Sequence, residues 1–321
     1  MKRLVSLGIS LSILAFIYWR VDLAAVGAIF AECRIGWLAL ALAMVVPTTF
    51  GSAWRLQRLM PPGWSLGLPE ATRLILVASV LNLFLPSKMG DIAKSHFMRR
   101  RGHISGSLAL SLVIVEKTFD ILALLLLCGV GLFVFPGSTE ELALVASAIL
   151  ASVAFGSLLI ASRRFTDIFF AVLTRVAPEQ LRAHFTEFQG SWREMHSHLW
   201  RRPANLAGMA VGSVLLWGIH MVQIWLFIVA LNGVVPFMTS LALTPLAILA
   251  GLLPLTIAGV GTRDVALITL YQPYFAVATG AALGLLCTTR YLLPVILGLP
   301  FITRYWSQLS DVAVDDAVQL S

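Results

Sequence analysis

Charged side chains are scarce in this sequence. Asp, Glu, Lys and Arg make up 12% of its 321 residues, whereas 59% of the residues are hydrophobic. The mean hydropathy of +0.88 is too high for a chain that folds mainly in water. The composition therefore excludes an ordinary soluble globular protein and predicts an all-α polytopic membrane protein.

Cysteine is equally rare, and the common catalytic motifs are missing. Cys33, Cys128 and Cys287 stand apart without CxxC or Cys/His spacing, so we expect packing residues and not a disulfide framework or metal site. The sequence has no GxxxxGK[ST], HExxH or GxSxG motif. His196 and His198 lack a carboxylate at ligand spacing. We therefore expect no metal, no cofactor and no enzyme activity.

What the sequence has instead is long apolar runs. A helix needs about 20 residues to cross the hydrocarbon core of a bilayer, so runs near this length predict about six full transmembrane helices. The first run ends in Tyr18-Trp19-Arg20 without a small-residue cleavage site, which favours a span over a signal peptide. The runs are Leu4–Trp19, Ile35–Phe50, Leu108–Phe135, Leu142–Ala161, Ala204–Leu231 and Phe275–Ile302.

The net charge of +7 is distributed by membrane side. Basic residues are clustered at Lys2-Arg3, Arg55/Arg58, Lys88–Arg101 and Arg163–Arg202. The connection Asn232–Ser240, in contrast, has no Lys or Arg. The positive-inside rule then predicts cytoplasmic N- and C-termini, in a bacterial inner (plasma) membrane. This distribution disfavours a nucleic-acid partner.

The polar stretch in the middle of the chain divides a single membrane domain, 1–305, into two halves. Its apolar residues recur at 3.6-residue spacing, which predicts cytoplasmic interfacial helices over about 163–203. The first half then covers about 1–162 and the second about 204–305, followed by a short polar tail at 306–321.

Two apolar runs are too short and broken to be ordinary spans. Leu74–Pro86 has about 13 residues, or about 20 Å of helix, and basic residues flank both of its ends. This pattern predicts a re-entrant broken-helix hairpin with its break at Pro86–Gly90. Leu252–Tyr271 repeats the pattern, with Pro254, Gly259 and Gly261 at the break. Paired broken helices indicate an inverted repeat. The alternative is eight full spans with kinks.

Several charged residues fall where the bilayer makes them costly. Glu116 and Asp120 are four residues apart and share one helix face, while Lys117 projects about 100° away. Glu116 and Asp120 are predicted to pair with a buried cation, Lys88 or Arg290, or to relay charge. We also expect Asp91, Asp264 and Arg290 to take part in ion pairing or charge relay.

Lys88 and Arg263 lie at the two predicted breaks, where half-helix ends and glycines favour anion binding. We predict that both bind substrate, with Lys117 as a further contact. Asn82 lies one turn before Pro86, where it can contact substrate or satisfy backbone groups that the break leaves free.

Three stretches carry a family resemblance: Asn82–Lys94, Ser107–Leu125 and Leu252–Leu270. Together they resemble the flippase-like membrane family named for the transmembrane region of lysylphosphatidylglycerol synthase. That pattern has Asn before Leu-Pro, then Gly-Asp, Glu-Lys with a later Asp, and finally Pro, Gly-x-Gly and a basic-acidic pair. The matching residues are Asn82, Leu85, Pro86, Gly90, Asp91, Glu116, Lys117, Asp120, Pro254, Gly259, Gly261, Arg263 and Asp264.

The departures concern single residues and one domain. Asp264 stands where the family commonly has Glu, and the basic residue after the early Gly-Asp is Lys94. We expect the soluble synthase domain to be absent, so the synthase chemistry is not carried over.

The resemblance implies a lipid translocase that moves an anionic or glycosylated lipid between leaflets. Relatives are linked to anionic phospholipids and to polyprenyl- or hopanoid-type lipids, and a biosynthetic enzyme is an expected partner. Two alternatives remain open at this point: an intramembrane lipid-modifying enzyme with Glu116 or Asp120 as general base, and a non-transporting lipid-binding scaffold.

Overall fold

The computed structural model describes residues 23–60, 66–84, 90–91, 94–95, 98, 105–133, 139–252 and 260–319, with backbone alone at 84, 139, 141–142 and 303–319. Every secondary-structure element in these residues is an α-helix. In chain order they are α1 (Leu23–Ala31), α2 (Ile35–Ala43), α3 (Val45–Leu59), α4 (Leu68–Phe84), α5 (Gly106–Leu132), α6 (Thr139–Ala161), α7 (Arg163–Val176), α8 (Glu179–Trp200), α9 (Pro203–Ala230), α10 (Phe237–Leu252), α11 (Thr262–Tyr271) and α12 (Val277–Gln319).

These helices confirm an all-α polytopic membrane protein. Four helical stretches in the described ranges have the length and apolar composition to cross a membrane: Ile35–Leu59, Ala143–Ala161, Pro203–Ala230 and Val277–Ile302. Helix α5 is 27 residues long but carries three charged residues in its apolar sequence. The first predicted span, Leu4–Trp19, lies outside the described residues.

Two large hydrophobic clusters make up most of the described core. One is built from α3, α4, α5 and α8, and includes Leu56, Leu112 and Trp192. The other is built mainly from α9, α10, α11 and α12, and includes Phe227 and Leu283. Helix α12 packs along α4, α10 packs along α5, and α9 contacts α2, α3 and α5. The two halves of the chain therefore interlock, and their helices meet around α3, α4, α5, α9 and α12.

Glycine permits the closest of these helix contacts. A Cβ atom added at Gly298 of α12 would lie 2.5 Å from the carbonyl oxygen of Leu76 in α4, and one at Gly131 of α5 would overlap the backbone of Ala242 in α10. Small residues let transmembrane helices approach until their backbones touch. These two positions thus hold α12 on α4 and α10 on α5.

The predicted hairpin breaks are only partly described. Pro86, Lys88, Pro254 and Gly259 lie outside the described residues. Gly90 is helical, and a Cβ atom there would lie 2.6 Å from the amide nitrogen of Asn82. The chain therefore comes back against α4 after Phe84.

At the second predicted break, the two helices on either side of it also lie close together. Helices α10 and α11 pack against each other. Gly261 has a φ of 101° and is the N-cap residue of α11. A positive φ is accessible to glycine at little cost. Whether either segment re-enters the membrane from one side stays a prediction.

Helices α7 and α8 form the stretch predicted to lie at the membrane surface. Helix α8 uses its apolar residues Trp192 and Met195 in the core beside α5. Helix α7 instead exposes Ile168, Val172 and Val176, which are spaced four residues apart on one face. The apolar face of α8 therefore packs in the core, whereas α7 has an exposed apolar stripe.

Gly131→Ala tests the glycine contact, with Gly129→Ala as its matched control. Both lie in α5, but a Cβ at Gly129 has nothing within 4 Å, whereas one at Gly131 overlaps Ala242. We expect Gly131→Ala to lower the thermal midpoint in detergent, because α10 must move away. Gly129→Ala should leave the midpoint unchanged or raise it slightly, since alanine favours helix. Equal midpoints for the two variants would contradict the close contact.

Candidate functional site

Arg55 lies at the centre of the polar interior. It shares one face of α3 with Thr48 and Ser52, at spacings of four and three residues, and its side chain is 3% exposed. Its guanidinium donates to Glu116 Oε1 at 3.0 Å, to Asp120 Oδ2 at 3.2 Å and to Ser213 Oγ at 2.8 Å. A buried arginine needs such partners because an unpaired charge is expensive in an apolar interior.

Two lysines extend these contacts. Lys94 Nζ lies 3.1 Å from Glu116 Oε2 and 3.1 Å from Asp91 Oδ1. Lys117 Nζ lies 3.0 Å from Asp91 Oδ2 and 3.4 Å from Asp120 Oδ2. Each lysine therefore bridges two carboxylates, and each carboxylate bridges two cations.

The six side chains close into a ring of alternating charge, which we call the charge ring. Its three cations and three anions sum to zero if all are ionised, and each member has an oppositely charged neighbour on both sides. Helix α3, helix α5 and the segment 90–95 contribute its members. In order around the ring these are Arg55, Glu116, Lys94, Asp91, Lys117 and Asp120.

The charge ring borders a cavity of about 220 Å³ between α3, α4, α5, α9 and α12. All six ring members line it. Most of the ring is deeply buried, but the side chain of Lys117 is 40% exposed and faces the open space. A polar cavity of this size among membrane helices is the principal candidate site in the described residues.

Arg290 of α12 also lines the cavity, and it differs from the other cations there. Its side chain is buried, with 3% exposure, and no carboxylate lies within ion-pair distance in the parts of the chain that the structure describes. It donates to Tyr291 Oη at 2.8 Å, lies 4.7 Å from the centre of that ring, and has Nη1 3.4 Å from His220 Nδ1. Its Nε has no hydrogen-bond partner among the described residues.

The predicted site residues fall into two places. Asn82, Asp91, Lys117 and Arg290, together with the acids of α5, line the cavity. Arg263 and Asp264 do not belong to its lining. The structure therefore places Arg263 and Asp264 apart from the early residues, whereas the late residue Arg290 joins the early residues at the cavity.

Arg263 is bound within its own half of the protein. Its guanidinium lies 2.6 Å from Asp264 Oδ1 and donates to Thr288 Oγ1 at 2.9 Å and to the carbonyl of Gly284 at 3.1 Å. Asp264 also accepts the amide of Gly261 at 3.0 Å. These contacts join the start of α11 to α12. Lys88, its predicted counterpart, lies outside the described residues.

Three residues of the site were not predicted as site residues: Arg55, Lys94 and Trp217, whose indole donates to Asp120 Oδ1 at 3.0 Å. Arg55 was counted with the cytoplasmic basic cluster, but it is buried, whereas its neighbour Arg58 is exposed. The hint was the polar stripe Thr48, Ser52 and Arg55 on an apolar helix.

Arg55→Gln and Arg58→Gln form a matched pair of variants on α3. Removing Arg55 leaves Glu116 and Asp120 adjacent without their shared cation, so we expect unfolding to become easier by about 3–5 kcal/mol. Arg58 is exposed, and among the described residues its guanidinium makes one weak hydrogen bond, to Asn205 at 3.4 Å, and lies 4.8 Å from the centre of the Trp54 ring. Its loss should therefore cost about 1 kcal/mol or less. Thermal midpoints in detergent report the difference, and similar midpoints would show that the ring does not hold the helices together.

Comparison with known proteins agrees with this picture of a membrane domain. The family described as lysylphosphatidylglycerol synthase TM region matches residues 3–298, a range that contains the charge ring, the cavity and the Arg263–Asp264 pair. No curated protein matches the sequence. Because the family match covers most of the 321 residues, the chain belongs to the lysylphosphatidylglycerol synthase TM region family.

Proposed function

We propose that the protein is a lipid translocase and that the cavity beside the charge ring holds the headgroup of the lipid as it crosses. The cargo is an anionic or glycosylated lipid of the bacterial plasma membrane. The observation that carries the proposal is a cavity lined by the charge ring and Arg290 and bordered by α3, α4, α5, α9 and α12, of which α3, α9 and α12 lie in stretches of membrane-spanning length. Family membership supports a lipid-related membrane protein.

The charge ring suits a passage that a headgroup enters and leaves. Lys117 is its most exposed cation, and it contacts both Asp91 and Asp120. An incoming phosphate can take the place of one carboxylate at Lys117 while the other carboxylate stays in contact. The free carboxylate keeps its second cation, because Asp91 also binds Lys94 and Asp120 also binds Arg55. Exchange of partners avoids leaving a charge unpaired in the membrane.

The re-entrant hairpins belong to this proposal. The return of the chain at Gly90 brings Asp91 and Lys94 into the charge ring, so the segment of the first predicted hairpin supplies two of the ring's six charges. Lys88 lies outside the described residues, and we keep it as a predicted substrate contact. Cytoplasmic N- and C-termini would place the exposed stripe of α7 on the inner leaflet.

We propose no catalytic role for Glu116 or Asp120. Each is already engaged by two cations, and Asp120 also accepts from the Trp217 indole. A general base must have a lone pair that is free to reach a substrate proton. These carboxylates therefore fit a structural and charge-exchanging role better than the role of a base.

Lys117→Gln tests the translocase proposal in proteoliposomes. The probe is phosphatidylglycerol with a nitrobenzoxadiazole label, and dithionite quenching reports its arrival in the outer leaflet. We expect wild-type protein to speed this transfer and Lys117→Gln to slow it about tenfold or more, because one charge-assisted contact is lost. Arg58→Gln, whose residue lies outside the cavity lining, should behave as wild type.

Two results would contradict the proposal. Wild-type protein that moves the probe no faster than protein-free vesicles, while still binding it, would indicate a scaffold. A change in the mass of the probe after incubation would indicate an enzyme.

A further inference from the structure

The cavity has a second polar wall that the charge ring does not include. Helices α3 and α4 line it with the hydroxyl groups of Thr48, Thr49, Ser52 and Ser79. Each hydroxyl donates to a carbonyl of its own helix: Thr49 to Val45 at 2.7 Å, Ser52 to Thr48 at 2.8 Å and Ser79 to Ile75 at 2.9 Å.

These hydrogen bonds determine whether the hydroxyl groups of the α3–α4 wall can donate to a ligand or only accept from it. A serine or threonine hydroxyl has one proton to donate and two lone pairs to accept with. Since the proton of Thr49, Ser52 and Ser79 is already given to the backbone, the oxygens are left as acceptors. The α3–α4 wall is therefore rich in acceptors and poor in free donors.

Arg290 gives the cavity the opposite chemistry at α12. Its buried guanidinium has an unpartnered Nε and no carboxylate in ion-pair contact among the described residues. An arginine offers five N–H donors in a planar fork that matches phosphate oxygens. With the charge ring neutral, Arg290 leaves one uncompensated positive charge on the described lining.

We propose that this cavity is a two-part headgroup site, in which Arg290 binds a phosphodiester and the α3–α4 wall accepts hydrogen bonds from the group beyond it. This inference rests on the proposed translocase and narrows its cargo. A phosphodiester carries one negative charge, which matches Arg290. A phosphomonoester carries about −1.5 to −2 and would overcompensate it.

The α3–α4 wall then selects among phosphodiester lipids by hydrogen-bond donors. A headgroup that carries hydroxyl or ammonium N–H groups satisfies the acceptors of Thr49, Ser52 and Ser79. A trimethylated headgroup has no donor and would leave these oxygens without partners. Sites built to hydrogen-bond a group reject analogues that lack it, because their own buried polar atoms lose their partners.

Binding of short-chain lipids to the purified full-length chain in neutral detergent tests the inference. The probes are dihexanoyl phosphatidylglycerol, phosphatidylcholine and phosphatidic acid, measured by native mass spectrometry. We expect wild-type protein to bind phosphatidylglycerol at least tenfold more tightly than the other two. Arg290→Gln should lose about tenfold in affinity for phosphatidylglycerol. Arg290→Lys keeps the charge but not the planar fork, so it should lose less than Arg290→Gln does, and Arg58→Gln should lose nothing.

The double variant Ser52→Ala/Ser79→Ala tests the acceptor wall separately. It should reduce the preference for phosphatidylglycerol over phosphatidylcholine and leave phosphatidylcholine binding unchanged, since only donor-bearing headgroups use these oxygens. Thermal midpoints identify variants that fail to fold, in which case Arg290→Lys and the wild-type lipid ranking carry the test.

The failure of this inference is distinct from failure of the translocase proposal. Equal wild-type affinity for all three lipids, or full phosphatidylglycerol affinity in folded Arg290→Gln, would overturn the two-part site. If such a protein still moves labelled lipid in proteoliposomes, the translocase proposal stands. Selective binding without movement would sustain the site and contradict transport.

Discussion

The charge ring is the constraint on which the rest of the structure depends. An isolated charge within a membrane protein costs several kcal/mol, and six of them are placed together here. They are tolerable because each has an opposite charge on both sides. The ring can close only if α3, α5 and the segment 90–95 hold a fixed mutual position. Electrostatic pairing therefore determines helix arrangement, and the close glycine contacts at Gly131 and Gly298 complete it.

The cations of the protein interior are divided by task. Arg55 and Lys94 are deeply buried in the charge ring, and each forms ion pairs with two carboxylates. Arg263 forms an ion pair with its neighbour Asp264 beside α12. Lys117 is paired but exposed to the cavity, and Arg290 lines the cavity without a carboxylate in the described residues. The first group holds helices together. The last two are the groups with which an anionic ligand can exchange or complete a contact.

The sequence predicted the helical membrane fold and four of the six members of the charge ring, namely Asp91, Glu116, Lys117 and Asp120. Apolar run length determines spans, and the four-residue spacing of Glu116 and Asp120 places both acids on one face of α5. It did not predict Arg55 as their partner, because that contact joins residues 61 and 65 positions apart. Local periodicity carries no information about which helices become neighbours. For the same reason Arg263 was grouped with the early residues, although it pairs with Asp264.

The most direct measurement is an experimental structure of the protein in nanodiscs that contain phosphatidylglycerol. We expect phosphate density in the cavity, within hydrogen-bonding distance of Arg290 and next to an intact charge ring. A cavity filled only by acyl chains or protein side chains, with lipid phosphates confined to the bilayer surfaces, would contradict it.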